Sequence, residues 1–113
     1  MADMYEVMVI GGGPAGLSAA LYLARYDRQV ILFDAGRGRS TWHQTNHNYL
    51  GFPGGVAARD LRELGRQQLE EYSQVRVLEH KVEAISRVED GFCAETQNGE
   101  WYARAVIFAT GVI

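Results

Sequence analysis

Apolar residues in the first third of this chain form two continuous runs with a helical stripe between them. Residues 7–10 and 30–33 are uninterrupted apolar segments, which is typical of strands covered on both faces of a parallel sheet. From residue 14 to about residue 26 the apolar positions recur at helical spacing. Pro14 suits the first turn of a helix, where its missing N–H group has no partner to lose. Residues 6–34 therefore predict a strand, a crossover helix and a parallel strand.

The pattern changes after Asp34. Residues 35–55 show no regular period, and their aromatic and amide side chains favour a long functional loop over disorder. Residues 57–72 have the spacing of a second helix, and the charged run 59–71 is interpreted as its solvated face. Gly65 inside this helix indicates either close packing or a weak point. A third strand is predicted at residues 75–78.

Hairpin signals mark the last third of the chain as antiparallel. Asp90-Gly91 and Asn98-Gly99 separate extended segments at residues 82–88, 92–96 and 101–103. These segments predict a three-stranded antiparallel β-meander, whose last segment leads into residues 106–109, which have the pattern of a buried strand. We therefore expect one α/β domain with a parallel sheet, helices and a β-meander.

Composition and charge narrow the classes of partner. The 113 residues suffice for one small domain, and a net charge of −3 without a basic stripe argues against nucleic acid and anionic membranes. No apolar run approaches the roughly 20 residues of a membrane span, and the first residues lack the positive start of a signal peptide. We expect a cytoplasmic protein that does not associate with membranes and binds a small molecule.

The cysteine and histidine residues do not predict a reactive or metal-binding centre. Cys93 is the single cysteine, so these residues contain neither a disulfide nor a Cys-x-x-Cys pair, and we expect it to be a small packed side chain. His43 and His47 are four residues apart, but that spacing suits a metal only on a helix, and their segment lacks helical periodicity. We expect no metal site.

Glycines between the first strand and the first helix predict a dinucleotide site. Gly11, Gly13 and Gly16 form a Gly-x-Gly-x-x-Gly motif that permits a tight turn, a close approach of pyrophosphate and close packing of helix on strand. Asp34 lies about 20 residues further on, where a carboxylate accepts a hydrogen bond from a ribose 2′-OH. An acid there disfavours the 2′-phosphate of NADP, which leaves NAD or FAD. The meander, in place of further βα units, favours FAD.

Several motifs occur in the order found in one family. The chain resembles the N-terminal part of thioredoxin-reductase-like flavoproteins in its Gly-Gly-Gly-Pro-Ala-Gly at residues 11–16, its Asp34, its Asn-Tyr-Leu-Gly-Phe-Pro at residues 48–53 and its Ala-Thr-Gly at residues 109–111. These flavoproteins belong to the class II pyridine nucleotide-disulfide oxidoreductases. The resemblance implies a Rossmann-like FAD-binding fold of GR2 type, with residues 1–113 as the N-terminal segment of that domain.

The resemblance also implies a set of cofactor-binding residues. They are Gly11, Gly13, Pro14, Ala15 and Gly16 at the pyrophosphate, Asp34 with Ala35 at the adenosine ribose, Ser40 and Asn48 on the ribityl and flavin side, the backbone of Val82 beside the adenine, and Ala109, Thr110 and Gly111 at the crossing to the next domain.

Family members also have an NAD(P)H-binding domain, with a Cys-x-x-Cys pair in many of them, and a C-terminal FAD segment. These are absent from this sequence, so we expect an N-terminal fragment that is inactive by itself. The complete protein, expected to be a homodimer, would pass a hydride from NAD(P)H through FAD to a disulfide or another acceptor, with a thioredoxin-like protein as a candidate partner. No residue of this segment is an expected acid, base or nucleophile. A non-catalytic flavin-binding or interaction module and a simple NAD-binding module remain as alternatives.

Overall fold

The computed structural model describes residues 4–36, 45–47 and 49–111, which form eight strands and two helices. In chain order these are β1 (Met4–Ile10), α1 (Pro14–Arg25), β2 (Val30–Phe33), β3 (Thr45–Asn46), β4 (Val56–Ala57), α2 (Ala58–Leu69), β5 (Val75–Leu78), β6 (Ala84–Val88), β7 (Gly91–Thr96) and β8 (Gly99–Phe108).

Six of these strands form one mixed sheet, in the order β5-β2-β1-β8-β7-β6. Neighbours from β5 to β8 are parallel, whereas β8, β7 and β6 are successively antiparallel. The predicted strand, helix and parallel strand at the start of the chain, the third parallel strand and the antiparallel meander are all confirmed. The fold is of the expected α/β, Rossmann-like class.

Strand β8 differs from the prediction, which divided it into segments at residues 101–103 and 106–109. It is one strand of ten residues. Its first half pairs with β7, and from Tyr102 onward it pairs with β1. Pairing with β1, in which Ala105 lies opposite Val7, carries the strand past Arg104, which interrupts the apolar pattern. The predicted burial of its last residues is also wrong, because Ile107 and Phe108 are exposed.

The core has two layers, one on each face of the sheet. Successive residues of a strand point to opposite faces, so Val9 packs with α1 whereas its neighbour Met8 packs under the meander. The helix-side cluster comprises Val9, Leu17, Ala20, Val30, Leu32 and Leu69, and the opposite cluster comprises Met8, Ile31, Phe33, Ala94 and Ala103. All four residues of β2 are buried, as expected of a strand covered on both faces.

Helix α2 packs against α1 at a glycine. A Cβ atom added to Gly65 would lie 3.0 Å from Cδ1 of Leu17, so Gly65 marks a close approach, which confirms the packing alternative for this residue. The helix ends at Leu69, three residues earlier than predicted. The loop before it is less irregular than predicted, because Thr45–Asn46 pairs with Val56–Ala57 as a short antiparallel ribbon.

Gly16 provides a test of the close packing of α1 on β1. A Cβ atom on this buried residue would overlap the carbonyl oxygen of Gly11, which is backbone and cannot rotate away. We expect Gly16→Ala to lower the free energy of unfolding by about 1–3 kcal/mol through overpacking, although alanine is the better helix former by about 1 kcal/mol. Urea denaturation followed by circular dichroism measures the difference.

Gly54→Ala is the matched control, because a Cβ atom there has no described atom within 4 Å. Equal stability of the two variants would contradict the close approach of Gly16 to Gly11.

Candidate functional site

The carboxyl ends of four parallel strands, β5, β2, β1 and β8, meet at one edge of the sheet. Backbone bonds continue beyond the strands there: the Gly11 N–H donates to the Phe33 carbonyl at 2.9 Å, and the Ala109 N–H donates to the Ile10 carbonyl at 2.8 Å. The chain leaves β1 towards β2 on one side and returns as β8 on the other. Ligands of open α/β sheets bind at such a reversal of strand order.

The glycine turn at this edge lies against the segment that follows β8. Gly11 has φ +124°, a conformation that glycine adopts at little cost, and a Cβ atom there would overlap the carbonyl of Ala109. The turn therefore places the predicted fingerprint directly against the predicted Ala109-Thr110-Gly111 segment.

The N-terminus of α1 has the features of an anion site. Gly13 is the N-cap residue with extended backbone, and no described side chain caps the helix. Pro14 begins the helix and its first turn has no acidic residue. First-turn N–H groups, here those of Ala15 and Gly16, have no acceptor within a helix, and the helix dipole is positive at this end. Ala15 is exposed at this position.

Asp34 follows β2 at the same edge and is 3% exposed. Its Oδ1 accepts the Gly36 N–H at 2.8 Å. Its Oδ2 accepts a hydrogen bond from Nη1 of Arg66 at 3.0 Å and a second one from Nη2 of Arg62. The carboxylate lies against Gly12, where a Cβ atom would overlap it. A buried carboxylate needs such partners, because an unpaired charge in the interior is costly.

The two arginines correct the interpretation of residues 59–71 as a solvated face. Arg62 and Arg66 are one helical turn apart on α2, and their side chains are only 19% and 25% exposed. The two arginines were not predicted as site residues. The sequence offers one signal for them, which is that two cations four residues apart on a helix can face the same acidic partner, here Asp34. The two arginines also offset the negative charge of Asp34, so the repulsion by which this acid disfavours the 2′-phosphate of NADP is weaker than the sequence alone suggests.

A polar cavity of about 460 Å³ includes Ala35, the residue after Asp34, and is also lined by Glu79, His80, Lys81, Glu83, Gln97 and Asn98. Val82, between β5 and β6, packs into the core layer beneath it. The Trp101 ring lies 5.5 Å from the His80 ring and 5.7 Å from the Phe33 ring, measured between centroids. His80 lines this cavity and was not predicted as a site residue from the sequence.

The structure thus brings most of the predicted site residues to one edge. Residues 11–16, Asp34, Ala35 and residues 109–111 lie there, and Val82 lies beside the adjoining cavity. Ser40, Asn48 and His43 lie outside the described residues. Within the described ranges, no three side chains of His, Cys, Asp or Glu come together as a metal site.

Cys93 lies apart from this edge, on β7. It is buried, as predicted, and burial raises the pKa of its thiol. Its Sγ lies 3.9 Å from Oε2 of Glu100, which raises the pKa further. A raised pKa opposes the thiolate form that nucleophilic or redox chemistry requires.

A glycine-rich turn, an open helix N-terminus and a buried acid after the second strand are features of dinucleotide-binding α/β domains. Residues 5–112 match the pyridine nucleotide-disulphide oxidoreductase family, and the chain belongs to that family.

Individual relatives agree with this assignment. Thioredoxin reductase tcpT of Claviceps purpurea is 36% identical over 98% of this chain, and NADPH-dependent thioredoxin reductase 3 of Arabidopsis thaliana is 31% identical over 94%. An oxidoreductase from Agrobacterium tumefaciens superposes with a TM-score of 0.89 at 33% identity, covering 98% of this chain and 38% of that one. The atypical thioredoxin reductase TRi from Desulfovibrio vulgaris Hildenborough gives a TM-score of 0.87 at 34% identity, covering 97% of this chain and 37% of that one. The chain spans 36% of the Claviceps protein and 21% of the Arabidopsis protein.

The burial and the raised pKa of Cys93 predict that its thiol is alkylated slowly. We expect iodoacetamide at pH 8 to alkylate Cys93 more than about tenfold more slowly in the folded protein than in guanidinium chloride, since a buried group reacts only through opening and the raised pKa keeps the thiol protonated. Mass spectrometry of timed samples measures both rates. Comparable rates would show that this thiol is accessible and ionised in the folded protein.

Proposed function

We propose that this segment binds FAD and forms part of a flavin-dependent oxidoreductase. The observation that carries the proposal is the meeting, at one sheet edge, of the uncapped α1 N-terminus with the buried Asp34 carboxylate. The first suits the pyrophosphate of a dinucleotide and the second suits the hydroxyls of its ribose. The meander, which returns the chain through β8 to the same edge, favours FAD over NAD.

The residues present fit such a cofactor. The N–H groups of Ala15 and Gly16 would bind the pyrophosphate, next to Gly13 and Pro14, and Gly11 with residues 109–111 would close the turn beside it. Asp34 and Ala35 would face the adenosine ribose. The polar cavity near Val82 would take the adenine. Ser40 and Asn48 remain predictions for the ribityl and flavin side.

FAD would supply the redox chemistry, as cofactors of this kind do. The residues of this chain would bind and orient it, and we assign none of them as an acid, base or nucleophile. Among residues 4–36, 45–47 and 49–111, no helix is long and apolar enough to cross a membrane.

The activity of the whole protein is a further part of the proposal. We infer that residues 1–113 are the N-terminal segment of an FAD domain, that an NAD(P)H-binding domain and a second FAD segment complete the protein, and that the segment does not turn over by itself. The complete protein would be a homodimer in the cytoplasm that passes a hydride from NAD(P)H to a disulfide or another acceptor. The names of its relatives favour a thioredoxin-like acceptor.

Ligand titration separates this proposal from an NAD-binding module. We expect the purified protein to bind FAD more tightly than NAD⁺ in calorimetric titrations, and FMN, which lacks the ADP half, most weakly. Protein that retains flavin on purification would also show the visible flavin bands. Tighter binding of NAD⁺ than of FAD would contradict the proposal and support the NAD-binding alternative.

Ala15→Glu tests the pyrophosphate site with effects of opposite sign. A carboxylate in the first turn of α1 stabilises the helix by about 0.3–1 kcal/mol through the helix dipole. The same charge repels the pyrophosphate, so we expect FAD affinity to fall about tenfold or more, which corresponds to roughly 1.4 kcal/mol. Thermal denaturation and FAD titration measure the two effects separately.

Tyr22→Glu is the matched control, because Tyr22 is 65% exposed and two turns further along α1. Its FAD affinity should be unchanged. Unchanged affinity in Ala15→Glu would place the pyrophosphate elsewhere.

A further inference from the structure

The Asp34 carboxylate has one acceptor position left. A carboxylate offers about four lone-pair positions, two on each oxygen. Both positions of Oδ2 are used by Arg62 and Arg66, and one position of Oδ1 is used by the Gly36 N–H at 2.8 Å. One position on Oδ1 therefore remains for a ligand hydroxyl.

The orientation of this carboxylate depends on α2. The Asp34 N–H donates to the Leu78 carbonyl at 2.9 Å, which fixes the backbone, and the side chain is then held between Gly12 and the two guanidinium groups. Asp34 is the main partner of both arginines. Glu79, at 3.5 Å from Arg66 and 74% exposed, is a weak competitor.

We propose that Arg62 and Arg66 are positioning residues for the adenosine ribose, which hold Asp34 so that Oδ1 accepts a single hydroxyl, the 2′-OH. The inference rests on the proposed function, since it assumes a dinucleotide at this edge. It extends the site beyond the glycine fingerprint to helix α2, which reaches Asp34 through the two arginines. Without the arginines, the carboxylate would lose its charge partners and turn towards solvent, because an unpaired buried charge is strongly disfavoured.

The test compares ADP with 2′-deoxy-ADP, which differ only in the hydroxyl concerned. Calorimetric titration of the wild-type chain should give about tenfold or greater preference for ADP, as expected of a hydrogen bond to a charged group. In Arg62→Gln/Arg66→Gln the preference should fall to near onefold, whereas the affinity for 2′-deoxy-ADP should change much less. A purely structural loss would weaken both ligands equally and leave the ratio unchanged.

Three further variants sharpen the result. Asp34→Asn should also abolish the preference. Arg62→Lys/Arg66→Lys keeps the charges and should recover part of it, and this variant answers the question if the glutamine pair fails to fold. Arg59→Gln changes an exposed arginine of the same helix and should leave the ratio at the wild-type value.

The outcomes distinguish this inference from the proposed function. Two results would overturn the positioning role while FAD binding stands. The first is a wild-type chain that binds ADP and 2′-deoxy-ADP equally well. The second is a preference for ADP that stays at the wild-type value in both the glutamine pair and the lysine pair. An equal loss for both nucleotides in the glutamine pair, with the ratio unchanged, would also overturn it and leave the arginines a purely structural role. If the wild-type chain binds neither FAD nor ADP, the proposed function itself fails.

Discussion

Burial of the Asp34 carboxylate is the constraint on which the functional edge depends. A charge that is 3% exposed requires partners, and the chain supplies them from three directions: the Gly36 N–H, Arg62 and Arg66. Gly12 leaves the space that the carboxylate fills. For the arginines to reach it, α2 must lie close to α1, and the contact of Gly65 with Leu17 permits that distance. The position of the two arginines at Asp34 therefore depends on the close packing of α2 against α1.

The β-meander also leads to this edge of the sheet, through strand β8. Strand β8 begins against β7 and ends against β1, so one continuous strand connects the antiparallel half of the sheet to the glycine turn. Its early residue Trp101 packs on Phe33 and His80 beside the polar cavity, whereas Ala109, just after its end, lies against Gly11. The register of β8 thus fixes both the predicted adenine side and the predicted crossing of the ligand site.

Local patterns predicted the parts of the fold that depend on neighbours in sequence. The strand-helix-strand unit and the hairpins follow from apolar spacing and turn chemistry within a few residues. The continuity of β8 did not, because pairing with β1, far away in sequence, continues past the polar interruption at Arg104. Arg62 and Arg66 were missed because their partner lies 28 and 32 residues away, and helix periodicity cannot report which strand end a helix passes. The ribbon of Thr45–Asn46 with Val56–Ala57 is too short for a periodic signal.

The pairing of β1 with β8 also has a consequence for the order of folding. The first strand that the structure describes pairs with the last one described, with Met4 opposite Tyr102 and Ile10 opposite Phe108. During synthesis from the N-terminus, β1 can pair with β2 early, but its other edge stays unpaired until residues 102–108 have left the ribosome. Closing such a long loop is slow, and the waiting edge strand is open to pairing with other chains. The sequence separation that brings Ala109 to the glycine turn therefore leaves this edge of β1 exposed for longer than its edge with β2 in a newly made chain.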